Sequence, residues 1–348
     1  MKKQLLLISI IFLIAACSKD DNDQPGSYLT GNGVFVVNEG NFMGGNGSIS
    51  FYSYDSLKIY NDLFINANGR PLGDVPNSLA ISGERIYIVV NNSGKIEVAD
   101  KNTLESIKTI SGLKAPRIIS IISSSKAYVS SIYSDSLAII NLTDNTISGY
   151  INLRRSSEAI AVISHKAFVS NWVGGKEVMV INTDNDKVID SVEVANEPES
   201  MVIDKDKTLW VLCNGGWMRE YNAELIAVNT STNDIERRLV FPSKLSSPSC
   251  LQIDGTGSTL FYLETGVHKL RTDASSIPSA TYIAESGHYF YKLGINPVNG
   301  DILITDAVDY QQRGHLLIYK NDGTFEYDLM ADIIPGMMYF KLNSDFNR

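Results

Sequence analysis

Apolar and polar positions alternate along this chain in short bursts, and one arrangement of them returns seven times. An anchor residue is followed by apolar residues three and five positions later, then by a run rich in β-branched and aromatic side chains. The copies are Pro76, Leu79, Ile81; Pro116, Ile119, Ile121; Glu158, Ala161, Ile163; and Pro198, Met201, Ile203. They continue as Pro248, Leu251, Ile253; Phe290, Leu293, Ile295; and Pro335, Met338, Phe340. Successive anchors lie 40, 42, 40, 50, 42 and 45 residues apart. A period near 40 with several strands per unit predicts a β-propeller rather than a helical solenoid.

Each unit reads as four antiparallel strands separated by Gly, Asn, Asp and Ser turns. In the second unit the runs are 117–122, 126–131, 137–141 and 147–153, and in the third 159–163, 167–171, 178–182 and 188–194. An aromatic recurs in the second strand as Phe35, Tyr87, Tyr128, Phe168, Trp210 and Phe261. These are expected to fill the wedges between neighbouring blades. The last anchor introduces a strand with nothing after it, whereas 33–37, 47–54 and 57–60 read as three strands with no inner strand before them. Joined, the two ends complete one blade and remove an exposed sheet edge. The expected fold is all-β, a seven-bladed β-propeller with its ring closed by N- and C-terminal strands sharing the last blade.

The N-terminus is read as an address. Lys2 and Lys3 precede an apolar run, 5–14, of signal-peptide length and too short to cross a bilayer comfortably. It closes on Ile14, Ala15, Ala16 and Cys17, which resembles the lipobox of bacterial lipoproteins. Residues 1–16 are thus expected to be a lipoprotein signal peptide, 17–30 a lipidated Cys17 and flexible acidic tether, and 31–348 a single propeller. Asp20, Asp21 and Asp23 resemble the surface-export signal of Bacteroidetes lipoproteins; a generic linker is the alternative. Removing Lys2 and Lys3 with the leader takes the net charge from −9 to −11. With no basic run, the chain has no electrostatic reason to bind nucleic acid.

Label the strands of a blade A to D from the centre outward. A leaves the mouth face, B returns to it, C leaves and D returns, so the B–C and D–A loops open together. Three B–C loops are long: 38–46, 213–222 and 306–313. The D–A connection 66–75 is long as well and carries Arg70. Loops positioned by a rigid scaffold carry function. The candidate ligand-binding residues are therefore Asn41, Phe42, Arg70, Arg117, Tyr133, Trp172, Trp217, Arg219, Tyr221 and Tyr310. Aromatic platforms with convergent polar groups suit a small molecule or a glycan. Tucking down to cap the blades is the alternative for any one of these aromatics.

Catalytic signals are weak. Gly-x-Ser-x-Gly, His-Glu-x-x-His and Cys-x-x-Cys are absent. His165, His268, His288 and His315 fall at different repeat positions, so no metal site is expected from them. Asn77, Glu158 and Glu199, beside anchors, suit either structure or the metal of a propeller lactonase. No cofactor and no catalytic residue is expected. Cys213 and Cys250 both lie near the mouth face, and either a disulfide or two buried free thiols fits them.

The segments Asn38-Glu39-Gly40-Asn41-Phe42, Gly47-Ser48-Ile49-Ser50-Phe51-Tyr52 and Asn68-Gly69-Arg70-Pro71-Leu72-Gly73-Asp74-Val75-Pro76-Asn77-Ser78 resemble the YncE-like seven-bladed propeller lipoproteins of gut Bacteroidetes. The resemblance extends over the mature chain. That family includes the BtuG-type surface proteins, so the resemblance implies an outer-membrane lipoprotein facing the cell exterior. It further implies cobalamin or another corrinoid as ligand and a TonB-dependent transporter as partner. A glycan- or peptide-binding accessory lipoprotein, a protein-interaction propeller and a lactonase-like hydrolase are the alternatives.

Overall fold

A computed structural model describes residues 28–343 and 346. Seven antiparallel sheets form one ring of blades. Blades 1 to 6 begin at inner strands Pro76–Ser82, Pro116–Ser123, Ile160–Ile163, Pro198–Ile203, Ser249–Ile253 and Phe290–Ile295. Blade 7 pairs the last strand, Pro335–Lys341, with Gly33–Asn38, which in turn pairs with Ser48–Ser53. Val34 stands opposite Phe340 on one side and Tyr52 on the other, so both chain ends share one sheet. The expected strands of blades 2, 3 and 7 fall within one residue of those observed.

Three details depart from expectation. In blade 5 only three full strands form, and its fourth shrinks to a bridge between Val267 and Ile283. The turn-forming residues around Pro278 and Gly287 leave too little regular chain there for a longer ladder. The connection into blade 1, expected from residue 66, begins earlier with a short helix, Leu63–Asn68, that buries Leu63 and Phe64 between blades 7 and 1. Finally, the end of the segment expected to be tether is already part of the fold. Tyr28–Thr30 form a 3₁₀ turn, Leu29 is buried, and Tyr28 stacks on Tyr60 at 3.7 Å. The leader, Cys17 and the acidic stretch after it lie outside the described residues.

Successive side chains of a strand point to opposite faces, and here both faces of every blade are covered by a neighbour. Seven apolar clusters result, one per wedge. Phe35 and Leu79 meet between blades 7 and 1, Tyr87 and Ile119 between 1 and 2, and Tyr128 and Val169 between 2 and 3. Phe168 and Leu209, Trp210 and Leu251, Phe261 and Ile302, and Leu303 and Val34 fill the remaining four. All six strand-B aromatics are buried in the wedge toward the next blade, as the repeat required. Where they carry polar atoms these are satisfied: the Trp210 indole N–H donates to Asp204 at 2.9 Å, and the Tyr128 hydroxyl donates to Asp186. On the face opposite the mouth, Arg85, Lys126 and Lys166 each reach a backbone carbonyl of the next blade, at 2.9, 2.6 and 2.8 Å.

The mouth face has its own repeated device. Val75, Ala115, Glu197 and Ile334, each just before an anchor proline, adopt left-handed φ of 53°, 41°, 55° and 52°. That conformation costs roughly 1–2 kcal/mol for a residue with a Cβ, and β-branched residues rarely take it. A backbone clip holds it in three blades. The carbonyls of Val75, Glu197 and Ile334 accept the N–H of Asn91, Asn214 and Glu39 at 2.8, 3.1 and 2.9 Å. Each clip ties the D–A loop to the B–C loop of the same blade, so the mouth loops are fixed in pairs.

Deleting residues 335–348 is expected to destabilise the whole ring. It removes Met338, Phe340, Leu342 and Phe346 from the wedge between blades 6 and 7. Each large apolar side chain fully buried contributes roughly 1.5–3 kcal/mol, against a native stability of about 5–15 kcal/mol. A melting temperature equal to wild type would overturn the closure. The seam also carries a titratable group: the Lys341 ammonium donates to the Leu29 carbonyl and to Asn102. Burial, with Lys101 adding repulsion, pushes its pKa down to about 8. The unfolded chain then binds more protons between about pH 8 and the ordinary lysine range, so this group makes stability rise with pH there. Denaturant midpoints from pH 7.5 to 9.5 should show that rise in wild type and lose it in Lys341→Met.

Candidate functional site

Of the large apolar side chains exposed among the described residues, about half stand at the mouth. Phe42, Met43, Tyr133, Val173, Trp217, Met218, Tyr221, Leu245, Tyr289 and Val308 all stand on B–C or D–A loops. Trp217 is 85% exposed, so it caps no blade. Its loop is nevertheless built. Gly215 and Gly216 take φ of 86° and 99°, which residues with a Cβ rarely adopt. The N–H of Tyr221 returns to the Gly215 carbonyl at 3.1 Å, and Asn222 donates to the Phe241 carbonyl at 2.7 Å. Arg219 donates to the Leu245 carbonyl at 2.5 Å, joining this insertion to the next D–A loop. Trp217, Met218 and Tyr221 are therefore presented from a fixed turn.

The 38–46 loop is tied down on both sides. Met43 N–H donates to Asp74 at 3.0 Å, and the Asn41 amide donates to the Tyr310 carbonyl at 3.0 Å. Asn41 is thus a fastener of the loop that carries Phe42. Tyr310 stands edge-on to Tyr289 and Tyr291, with ring centres 5.7 and 5.6 Å away. Burial raises the Tyr310 and Tyr291 hydroxyls above the ordinary tyrosine range, so both stay protonated.

Two of the expected cations are engaged elsewhere. Arg70 points away from the mouth and binds Glu97 at 2.7 Å, Ser106 at 3.0 Å and the face of Phe64. Glu97 is fully buried. Burial alone would raise its pKa, but bonds from Arg70, Ser106 and Lys95 outweigh that and hold it below the usual carboxylate range. Arg117 does reach the mouth of the channel, yet Glu158 takes its guanidinium through contacts of 2.9 and 2.8 Å, and Asn77 lies against it. These anchor-adjacent polar groups serve one another. Cys213 and Cys250 are free thiols, contrary to the bridge considered above. Cys213 packs between blades 3 and 4 and Cys250 between blades 5 and 6, so their side chains diverge.

Below the loops lies a cavity of about 360 Å³ in the upper channel, lined by the first residues of the inner strands of blades 2 to 7. Trp172 lines it together with Arg117, Glu199, Gln252, Lys292, Met337 and Tyr339. The Lys292 ammonium lies 4.9 Å from the Tyr291 ring centre, and the Tyr291 hydroxyl donates to Glu39 at 2.8 Å. Sequence reading missed Tyr289, Tyr291 and Lys292 because they flank the anchor Phe290 and read as ordinary strand. Their place beside an anchor, like that of Arg117, was the available signal. His288 and His315 come within 6.4 Å, closer than their repeat positions suggested, but each bonds its own carboxylate, Asp306 and Asp328. Among the described residues no group of three or more His, Cys, Asp or Glu could hold a metal ion.

The chain resembles several solved propellers at low identity. A quinonprotein alcohol dehydrogenase-like protein from Bacteroides thetaiotaomicron superposes with TM-score 0.70 at 15% identity, covering 90% of this chain and 78% of that one. A putative 6-phosphogluconolactonase from Bacteroides fragilis gives 0.67 at 14%, covering 89% and 98%. A functionally unknown protein from Desulfotomaculum acetoxidans gives 0.67 at 12%, covering 89% and 99%. At such identity these likenesses establish the fold alone. No curated protein sequence matches. With residues 32–324 matching its sequence profile, the chain belongs to DUF5074, a domain of unknown function.

Proposed function

We propose that this protein is a lipid-anchored binding protein of the cell surface, which captures a small nutrient on its mouth face for an outer-membrane TonB-dependent transporter. The observation that carries the reading is the gathering of exposed aromatic and apolar side chains on the fixed mouth loops, above all Trp217, Tyr221, Phe42 and Tyr133. Several large exposed aromatics on one face of the ring point to an interaction site. A flat ligand with polar edges suits it: rings lie on the aromatics while edges bond to loop amides. A corrinoid has that shape and chemistry, and it is too large for the channel cavity, so it would rest on the rim. The role is capture rather than catalysis.

One observation favours a second ligand class. With Arg70 held by Glu97 and Arg117 by Glu158, Arg219 is the expected cation left nearest the rim aromatics. An uncharged glycan would stack its sugar faces on the same platforms without needing a phosphate partner.

Titration calorimetry with cyanocobalamin tests the first class. Truncating a good aromatic hot spot costs at least about 2 kcal/mol, roughly thirtyfold in affinity. Trp217→Ala combined with Tyr221→Ala should weaken binding by that factor or more while leaving the melting temperature near wild type. Trp210→Ala, deep in the wedge between blades 4 and 5, should instead lower the melting temperature. Absence of cobalamin binding would remove the corrinoid and leave the glycan to be titrated in the same way. The anchor has its own test: Cys17→Ala should yield a folded propeller in the soluble fraction. Membrane partitioning at wild-type level would contradict lipidation at Cys17.

A further inference from the structure

The channel cavity beneath the rim has a chemistry of its own. Several of its polar groups are engaged: Arg117 with Glu158, and the Ser200 hydroxyl with the Leu251 N–H at 2.9 Å. Two donors that line it are left over. The Lys292 ammonium contacts the Tyr291 ring but has no hydrogen bond or ion pair among the described residues. The Gln252 side-chain amide has no hydrogen-bond partner among them either. One carboxylate is only half used: Glu199 accepts the Cys250 N–H at 3.0 Å through one oxygen, and its other oxygen has no partner among the described residues. Lys292 and Glu199 line the same cavity, yet they do not form an ion pair with each other.

A buried donor without an acceptor costs about 1–3 kcal/mol, more when it is charged. The cavity therefore favours an occupant that supplies an acceptor to Lys292 and a donor to Glu199. The charge balance points the same way. Two cations, Lys292 and Arg117, line it with two carboxylates, Glu158 and Glu199. With these charges balanced, a simple anion would leave Glu199 unpaired and a simple cation would meet Lys292. A zwitterion adds no net charge and matches both unpaired groups. Met201, Leu293 and Met337 supply an apolar stretch of the wall, and about 360 Å³ is at the small end of ligand pockets.

We propose that this cavity is a second ligand site, taking a small zwitterion with an apolar body, such as a free α-amino acid. Its carboxylate lies on the Lys292 ammonium, its ammonium faces the free oxygen of Glu199, and its side chain rests among the methionines and Leu293. The site lies below the rim, and its occupancy does not depend on what the rim binds.

Calorimetric titration of the full mature protein with phenylalanine, methionine and leucine tests this, alongside 3-phenylpropanoate and phenethylamine, which each lack one of the two charges. At least one amino acid should bind, and each single-charge analogue should bind at least about tenfold more weakly than phenylalanine. Glu199→Gln should weaken phenylalanine yet strengthen 3-phenylpropanoate, and Lys292→Met should weaken phenylalanine yet strengthen phenethylamine. A folding defect cannot produce that crossover. No binding by any of the three amino acids at millimolar concentration, or equal binding of 3-phenylpropanoate and phenylalanine, would overturn the proposal. So would binding that Lys292→Met and Glu199→Gln leave unchanged.

Discussion

No blade of this protein can bury its own faces; each depends on the wedge it shares with the next. A single four-stranded sheet with Tyr87 on one face and Ile88 on the other would leave one of them wet, and the ring leaves neither exposed. The arrangement closes only because Gly33–Asn38 accepts Pro335–Lys341 as its inner neighbour. Closure also removes the sheet edges that an open stack of blades would present to other chains. The outer strands remain half exposed, which they tolerate because their mouth-side ends are tied by loop contacts and, in several blades, their far ends by Arg or Lys clamps.

A rigid ring makes a strained mouth affordable. Left-handed Val75 and Ile334 are unfavourable locally, and a backbone hydrogen bond to the carbonyl of each holds them. The consequence reaches function directly. Because the D–A and B–C loops of blades 4 and 7 are clipped together, Trp217 and Phe42 are presented from turns rather than from slack chain, and less ordering entropy opposes binding there. The same geometry brings the residues after the anchors into the channel, where Arg117, Glu199 and Lys292 arrive from three different blades.

The repeat was legible because its physics is local: an anchor, a period-2 apolar run and a turn recur within each unit, and the unpaired ends announce closure. Exposure of Trp217 and Tyr221 was legible too, since an insertion that changes the repeat spacing cannot belong to the conserved spacing of the core. What stayed hidden was pairing across the fold. Arg70 looked like a mouth cation, and only its approach to Glu97, in the middle of an apolar strand, shows it serving a buried carboxylate. Arg117 and Glu158 lie 41 residues apart and meet because each follows or occupies an anchor in adjacent blades. The thiols looked bridgeable from their shared face, but the face says nothing of which wedge each side chain enters.

The central claim is that the mouth face is the working surface, and hydroxyl-radical footprinting on intact cells measures it most directly. Met43, Trp217 and Met218 should be protected in the cell-bound protein relative to the purified soluble propeller. Met330, Tyr150 and Phe325, exposed on outer strands, serve as internal references and should react equally in both. Equal reactivity of the mouth residues in the two settings, or protection of the outer strands in their place, would contradict the account.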